Sequence, residues 1–245
     1  ILNGIVHAAD IGSDVINMSL GGLRVLGNDW WFDFCLGLGL SRTECAKLAR
    51  NFVTGQDDYV QGAIIVFKRA FQYANNAGTL VVVSAGNSAM DLDHNVDIMS
   101  GFADFPGTVG VSALGPVGWC NSQLAPTDTL AYYSNYGRSA IDVSAPGGNW
   151  LGFFLGLNAQ CTISGHTTDE WAFDGVMSTI SEGWGWAQGT SMAAPHVSGI
   201  AALIVSEMGS MPPAQLERQI KARAQDLGEV GTDPVHGKGR ASSGY

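Results

Sequence analysis

The chemistry of this sequence starts at Ser191. It stands in Gly189-Thr190-Ser191-Met192-Ala193-Ala194-Pro195-His196-Val197-Ser198-Gly199, a glycine turn that runs on through small and apolar residues to Ile204. This pattern predicts a helix with Ser191 at or beside its first turn. Backbone N–H groups at that end have no intrahelical acceptor and carry the positive end of the helix dipole. A hydroxyl held there suits acyl transfer, in which negative charge grows on the attacked carbonyl oxygen. Pro195 removes a ladder hydrogen bond early in the same helix, where an interior proline costs about 3 kcal/mol, so something other than helix stability placed it there. The plainer alternative is a buried helix with Thr190 or Ser191 as an ordinary N-cap.

A second candidate is Asn87. Thr79-Leu80-Val81-Val82-Val83-Ser84 is a continuous apolar run of the kind buried in parallel sheets, and it ends at Ala85-Gly86-Asn87. Open α/β sheets bind ligands beyond the carboxyl ends of their strands. The amide of Asn87 could donate a hydrogen bond to an oxyanion, which a carboxylate could not; alternatively Asn87 is only a left-handed turn residue. Asp14-Val15-Ile16-Asn17-Met18-Ser19-Leu20-Gly21-Gly22 reads as another short buried strand, stopped by two glycines.

The eleven-residue string around Ser191 closely resembles the nucleophile motif of the subtilisin-like serine proteases, the subtilases. The resemblance implies that Ser191 is the nucleophile and that His196 matches a motif histidine other than the catalytic base. By the same resemblance Asn87 donates to the oxyanion beside the Ser191 N–H. Ser19, Leu20 and Gly21 would form an edge that pairs with an extended substrate, with Ser84, Ala85 and Gly86 on the other side of the groove. Tyr132-Tyr133-Ser134-Asn135-Tyr136-Gly137, Ile141 to Gly148 and Gly237-Lys238-Gly239-Arg240 resemble structural landmarks of the family in the same order. The implied fold is a three-layer α/β arrangement with a mostly parallel central sheet flanked by helices, incomplete at its amino terminus.

The family supplies its base and orienting acid in the order Asp, His, Ser, and both motifs would lie upstream of the point where Ile1 aligns. The chain thus reads as the carboxyl-terminal major part of a catalytic domain over 1–245, nearly inactive alone, with the missing amino-terminal part as its partner. His7, His94 and His236 read as surface or packing residues, and His166 as the one outside candidate for a replacement base. The expected function is serine endopeptidase action on polypeptides. A non-catalytic peptide-binding remnant is the alternative, and an ester hydrolase a third reading.

Composition sets the bounds. In 245 residues, 46% hydrophobic and 14% charged, there is enough chain for a full core and too little charge for disorder. A net charge of −10 argues against a nucleic-acid partner, which needs a basic surface. No apolar run reaches the roughly 18 residues of a membrane span. The acidic, lysine-poor balance and the resemblance carry an expectation of an extracellular, secreted protein. The four cysteines allow three pairings; Cys35 with Cys45 and Cys120 with Cys161 is the preferred set, and four free thiols the alternative. Asp91 to Asp97 clusters oxygen ligands that could hold a structural calcium, yet it lacks the EF-hand spacing. A solvated acidic turn is the expectation, and no cofactor or metal ligand is assigned.

Two regions break the α/β rhythm. Residues 23–60 carry Trp30, Trp31, Phe32 and Phe34, both early cysteines and a short helix near Glu44 to Phe52, and read as an inserted lobe. Residues 149–172 form a second variable region, after which Gly175-Val176-Met177-Ser178-Thr179-Ile180 is expected to resume the sheet. Helices are predicted over Ile1 to Ala9, Val60 to Asn76, the Ser191 segment to about Met208, and Pro212 to about Ala224.

Overall fold

The computed structural model describes residues 1–20, 23–25, 57–94, 98–100, 102–122 and 124–244. Gly21, the Trp-rich piece, Cys35, Cys45 and the helix expected near Glu44 to Phe52 lie outside the described residues.

Four strands, β1 (Val15–Met18), β3 (Leu80–Ser84), β5 (Thr108–Leu114) and β6 (Val143–Pro146), form an all-parallel sheet in the order β1-β3-β5-β6. Alternation along β3 explains why this sheet is covered on both faces. Leu80 and Val82 point to a core shared with Val197, Ala201 and Ile204 of α4 (Thr190–Met208) and with Leu216 and Ile220 of α5 (Pro213–Arg223). Val81 and Val83 point the other way, onto Ile5 and Ala9 of α1 (Leu2–Asp10) and Ala70, Phe71 and Ala74 of α2 (Asp57–Asn76). Phe71 is fully buried, and the rings of Phe102 and Phe105 meet it edge-on at 5.4 and 5.8 Å. A strand that is apolar on both sides can be stable only between two helical layers, and the three-layer α/β arrangement follows.

The register sets the stage for the site. Met18 pairs with Val83, so Ser19–Leu20 and Ser84–Gly86 leave the sheet side by side at its carboxyl edge. Among the described residues the outer edge of β1 has no partner strand.

Away from the sheet, the described residues form three two-stranded antiparallel ribbons. β2 (Leu23–Val25) pairs with β4 (Ile98–Ser100), β7 (Gln160–Ile163) with β8 (His166–Asp169), and β9 (Val176–Ile180) with β10 (Gly183–Ala187). The last pair corrects an expectation: residues 175–180 do not resume the central sheet but turn back on themselves. Unlike Val81-Val82-Val83, the run Met177-Ser178-Thr179 interleaves polar residues, and most of β9 is exposed. It cannot fill a position covered on both faces. Between β6 and β9 the second variable region folds as the short helix α3 (Leu151–Phe154), the β7/β8 hairpin and a 3₁₀ turn, Glu170–Asp174. A disulfide joins Cys161 of that hairpin to Cys120, with Cα atoms 6.2 Å apart.

Candidate active site

The turn into α4 is made by Gly189, whose φ of 149° is in the range that side chains rarely adopt. Its N–H donates to the Gly147 carbonyl at 2.8 Å, and the buried Tyr133 hydroxyl lies 2.8 Å from that oxygen and 2.7 Å from the Gly148 oxygen. Burial pushes the Tyr133 hydroxyl far above the usual tyrosine range, so it stays a proton donor. Gly147 itself has no room for a side chain, because a Cβ there would come within 2.5 Å of the Ala113 Cβ. The loop that presents Ser191 is thereby tied to the ends of β5 and β6.

Thr190 couples this turn to the end of β3. Its N–H donates to Asn87 Oδ1 at 2.9 Å and its hydroxyl donates to the same oxygen at 2.8 Å, while the hydroxyl oxygen accepts the Gly86 N–H at 3.0 Å. With Oδ1 engaged twice, the orientation of the Asn87 amide is fixed by its hydrogen bonds. Nδ2 is the end left for another acceptor, in a side chain that is otherwise exposed. Ser191 is the next residue, in the first turn of α4, where its own N–H has no intrahelical acceptor. The two candidates are thus brought together through Thr190.

On the other side, the Ser191 hydroxyl donates to the Ser19 carbonyl at 3.3 Å, and the Ser19 hydroxyl donates to the Ser191 carbonyl at 2.7 Å. Pro195 explains the second bond. In an α-helix the Ser191 carbonyl would accept from the N–H four residues on, and proline has none. The freed oxygen is taken by Ser19 instead, so the proline ties the helix to the end of β1. Asn17 Nδ2 donates to the Ser19 hydroxyl at 3.0 Å, and Ser198 donates to Asn17 Oδ1 at 3.1 Å.

The wall expected from Ser84, Ala85 and Gly86 is built inward. Ser84 and Ala85 are buried, the Ala85 N–H donates to the Val111 carbonyl and the Gly86 N–H is spent on Thr190. Leu20, at the other lip, is 46% exposed. Behind the wall sits a residue whose role the sequence did not signal. Asn135, fully buried, donates from Nδ2 to the Ala85 carbonyl at 2.9 Å, and its Oδ1 accepts the N–H groups of Ser88 and Met90 at 3.0 and 3.1 Å. Its own N–H donates to the Gly86 carbonyl. This one amide side chain shapes the turn that carries Asn87. Within Tyr133-Ser134-Asn135-Tyr136, flanked by a serine and a tyrosine, nothing local marked Asn135; the partners that a buried amide must find lie far along the chain.

No histidine among the described residues contacts the Ser191 hydroxyl. His196 turns its Nδ1 to the Met192 carbonyl at 2.8 Å, and His236 lies 3.5 Å from the Ser144 hydroxyl. His166 does not approach Ser191 as a base; its ring lies against Trp186, centroids 5.0 Å apart. A groove of about 300 Å³ opens beside Ser191, lined by Met177, Ser178, Met192, Pro195 and His196.

In the acidic turn, Asp93 accepts the N–H groups of Arg138 and Ser139 at 2.7 and 2.8 Å. Desolvation opposes its charge, yet those bonds hold its carboxyl below the ordinary range. Asp91 pairs with His94 at 2.8 Å, which raises the histidine pKa. Residues 95–97 lie outside the described set. Among the described residues no group of three or more His, Cys, Asp or Glu side chains gathers as a metal site would, and no helix is long and apolar enough to cross a membrane.

Fold and site together define a three-layer α/β protein with a serine at a helix amino terminus, beside an oriented amide at the carboxyl edge of a parallel sheet. The chain belongs to the Subtilase family, whose model matches residues 1–239. It is 28% identical over 236 residues, 96% of this chain, to fervidolysin of Fervidobacterium pennivorans. It is 27% identical over 233 residues, 89% of this chain, to the nisin leader peptide-processing serine protease NisP of Lactococcus lactis subsp. lactis. Among solved structures, proteases from Pseudoalteromonas arctica share 28% identity with a TM-score of 0.58 over 99% of this chain. A lanthipeptide protease at 23% identity shares the fold, with a TM-score of 0.67 over 99% of this chain. The chain spans 26% and 29% of the length of the two relatives, and 56% and 63% of the two solved chains.

Proposed function

We propose that this chain is the major part of a subtilisin-like serine endopeptidase domain and acts on polypeptides through an acyl-enzyme on Ser191. The observation that carries this reading is the double hydrogen bond from Thr190, the residue before the nucleophile, to Asn87 Oδ1, which leaves Asn87 Nδ2 as a donor. In the reaction the Ser191 oxygen, its proton passing to a base, attacks the scissile carbonyl, and the charge that develops on the carbonyl oxygen is met by Asn87 Nδ2–H and the Ser191 N–H; the C–N bond then breaks as the base returns the proton to the leaving amine, and water hydrolyses the acyl ester by the same route. Donors fixed in advance need no reorganisation as charge appears, which is why they contribute so much to rate. The acyl half of the substrate lies along Ser19–Leu20, with the half-buried Gly86 across the groove and Ser84 and Ala85 as its buried support.

A backbone carbonyl cannot take the serine proton, so the bond from Ser191 to Ser19 is a resting arrangement and a base must displace it. The proposal assigns base and orienting acid to an amino-terminal part of the same domain outside these 245 residues. Among the described residues no strand pairs with the outer edge of β1, beside Ser19, which is consistent with that assignment. Secretion is part of the proposal, supported by the Cys120–Cys161 disulfide, which persists in oxidising compartments, and by a relative named an extracellular serine protease in Serratia marcescens.

A fluorophosphonate probe tests the proposal. The longest product of the reading frame should be labelled at Ser191, the Ser191→Ala variant should not, and this chain alone should react far more slowly. Absence of labelling in the longest product would favour the non-catalytic peptide-binding alternative.

A further inference from the structure

We infer that a cavity beside the 149–174 insertion, separate from the groove at Ser191, is a binding site for a small organic cation, a primary ammonium carried on an apolar body. The inference does not depend on the acyl-transfer reading of Ser191. The cavity has a volume of about 250 Å³ and is walled by the carboxyl ends of β5 and β6, the end of the 3₁₀ turn and Arg240 near the end of the chain. Its lining shares only Val176 with the groove at Ser191. An apolar cavity of about 150 Å³ already holds a benzene ring, so this one has room for a ring and a short polar arm.

Charge sets the class of ligand. Asp174 lines the cavity and is 1% exposed. Its two oxygens accept the N–H groups of Gly118 and Trp119 at 2.6 and 2.9 Å, which leaves acceptor capacity on both. At the other end of the same 3₁₀ turn, Glu170 is also buried and accepts from the Asn121 amide. Among the described residues neither carboxylate forms an ion pair with a lysine, arginine or histidine. Burial, with the charge of Glu170 added, pushes the Asp174 carboxyl above the usual range. A buried carboxylate in that position gains from a cation beside it. The one cationic side chain in the lining, Arg240, is already spent on Asp128 at 2.6 Å.

A second buried group calls for the same donor. Asn149, 1% exposed, donates its N–H to the Asp174 carbonyl at 2.9 Å, and its Nδ2 lies 3.4 Å from the carbonyl of the lining residue Gly115. Its Oδ1 is buried and has no hydrogen-bond partner among the described residues, a costly state for an amide oxygen. A primary ammonium brings three N–H donors and no acceptor, which matches a carboxylate without a counter-charge and an amide oxygen without a donor. Leu114, Pro116, Pro146, Phe173 and Val176 supply apolar wall for the rest of the ligand, and the face of the Phe173 ring attracts positive charge. A hard metal ion would need six or more oxygens, whereas among the described residues no three acidic, histidine or cysteine side chains gather. The cavity is also held in shape before any ligand arrives, because the Cys120–Cys161 disulfide and the bonds of Asp174 and Glu170 fasten the insertion to the 118–121 loop. A preformed site loses little freedom on binding.

The test uses the longest product of the reading frame, carrying Ser191→Ala so that it cannot digest itself, titrated by calorimetry with benzylammonium and with its neutral analogue benzyl alcohol. Benzylammonium should bind at a single site with a Kd of about 1 mM or tighter, and benzyl alcohol about tenfold more weakly. Thr127→Arg replaces an exposed residue of the lining with a bulky cation; it should leave far-UV circular dichroism unchanged and abolish the binding. Asp174→Asn should remove the preference for the cation over the alcohol, and if that variant does not fold, Thr127→Arg decides alone. No saturable binding, equal affinity for the two compounds, a cation preference that survives Asp174→Asn, or binding that survives Thr127→Arg overturns the site.

Discussion

Two walls meet at Ser191 and are built by opposite means. The Asn87 side is a net of buried and part-buried hydrogen bonds that leaves Asn87 Nδ2 over, and in it Asn135, Thr190 and Tyr133 each hold two or more backbone or amide groups. The β9/β10 side is an exposed ribbon propped by ring contacts and anchored through a disulfide. Hydrogen bonds are directional and fix an atom to fractions of an ångström; apolar contacts are not, and tolerate different occupants. The first construction suits a donor that must meet a developing charge, the second a surface that must accept varied side chains. On the proposed function, the difference separates the wall that would fix a donor for the chemistry from the wall that would meet varied side chains.

The comparison breaks most readily at Asn87. Asn87→Ala in the longest product should lower kcat about 10²- to 10³-fold with little change in KM, whereas Trp184→Ala, on the exposed ribbon, should leave the labelling rate of Ser191 nearly unchanged. A loss of less than tenfold at Asn87 would remove the distinction.

Asn135→Ala sharpens it. The variant strands the carbonyl of Ala85 and the N–H groups of Ser88 and Met90, at a cost of about 3 kcal/mol, read as a lowering of the melting temperature by about 6–12 °C. Because the turn carrying Asn87 loosens, the labelling rate should fall as well. Loss of stability with an unchanged rate would mean that Asn135 supports the fold without positioning the donor.

The smallest effect is expected far from both walls, where Lys221 bridges Asp142 and Glu217 at 2.6 Å each. Burial opposes the charge of Lys221, but the bonds and charges of its two partners raise its pKa above the ordinary lysine value of 10.5. A raised lysine pKa contributes stability that is complete below 10.5 and is lost as pH rises through the folded value. For Asp142 burial outweighs the ion pair, so its pKa is also raised and its ionisation costs stability as pH rises. Lys221→Met should therefore lose about 2 kcal/mol near pH 8 and less near pH 4, where Asp142 takes up its proton. Urea unfolding at both pH values checks this, and a loss independent of pH would show that packing rather than charge is at stake.

The Val81-Val82-Val83 run already required a sheet covered on both faces, since no other environment buries both sides of such a strand. The string from Gly189 to Ile204 likewise pointed to a helix with a serine in its first turn, because a glycine turn leads into a run of alanines and apolar residues that sustains a helix in spite of Pro195. These are local facts, settled by neighbours within a few positions. The direction of residues 176–180 was not local: a short run of mixed polarity can continue a sheet or fold back as a ribbon, and the choice depended on what else was available to cover it. Nor could local pattern reveal the partners of Asn135, which lie 45 to 50 positions away, or the bond from Thr190 to Asn87 across 103 positions. The sequence by itself determined most of the elements, through propensity and periodicity, and singled out the serine and amide candidates, through their motifs and the family resemblance. Only the tertiary structure decided which end of the Asn87 amide is free and what stands across the groove from Ser19, because hydrogen-bond partners and facing walls are set when distant segments close on one another.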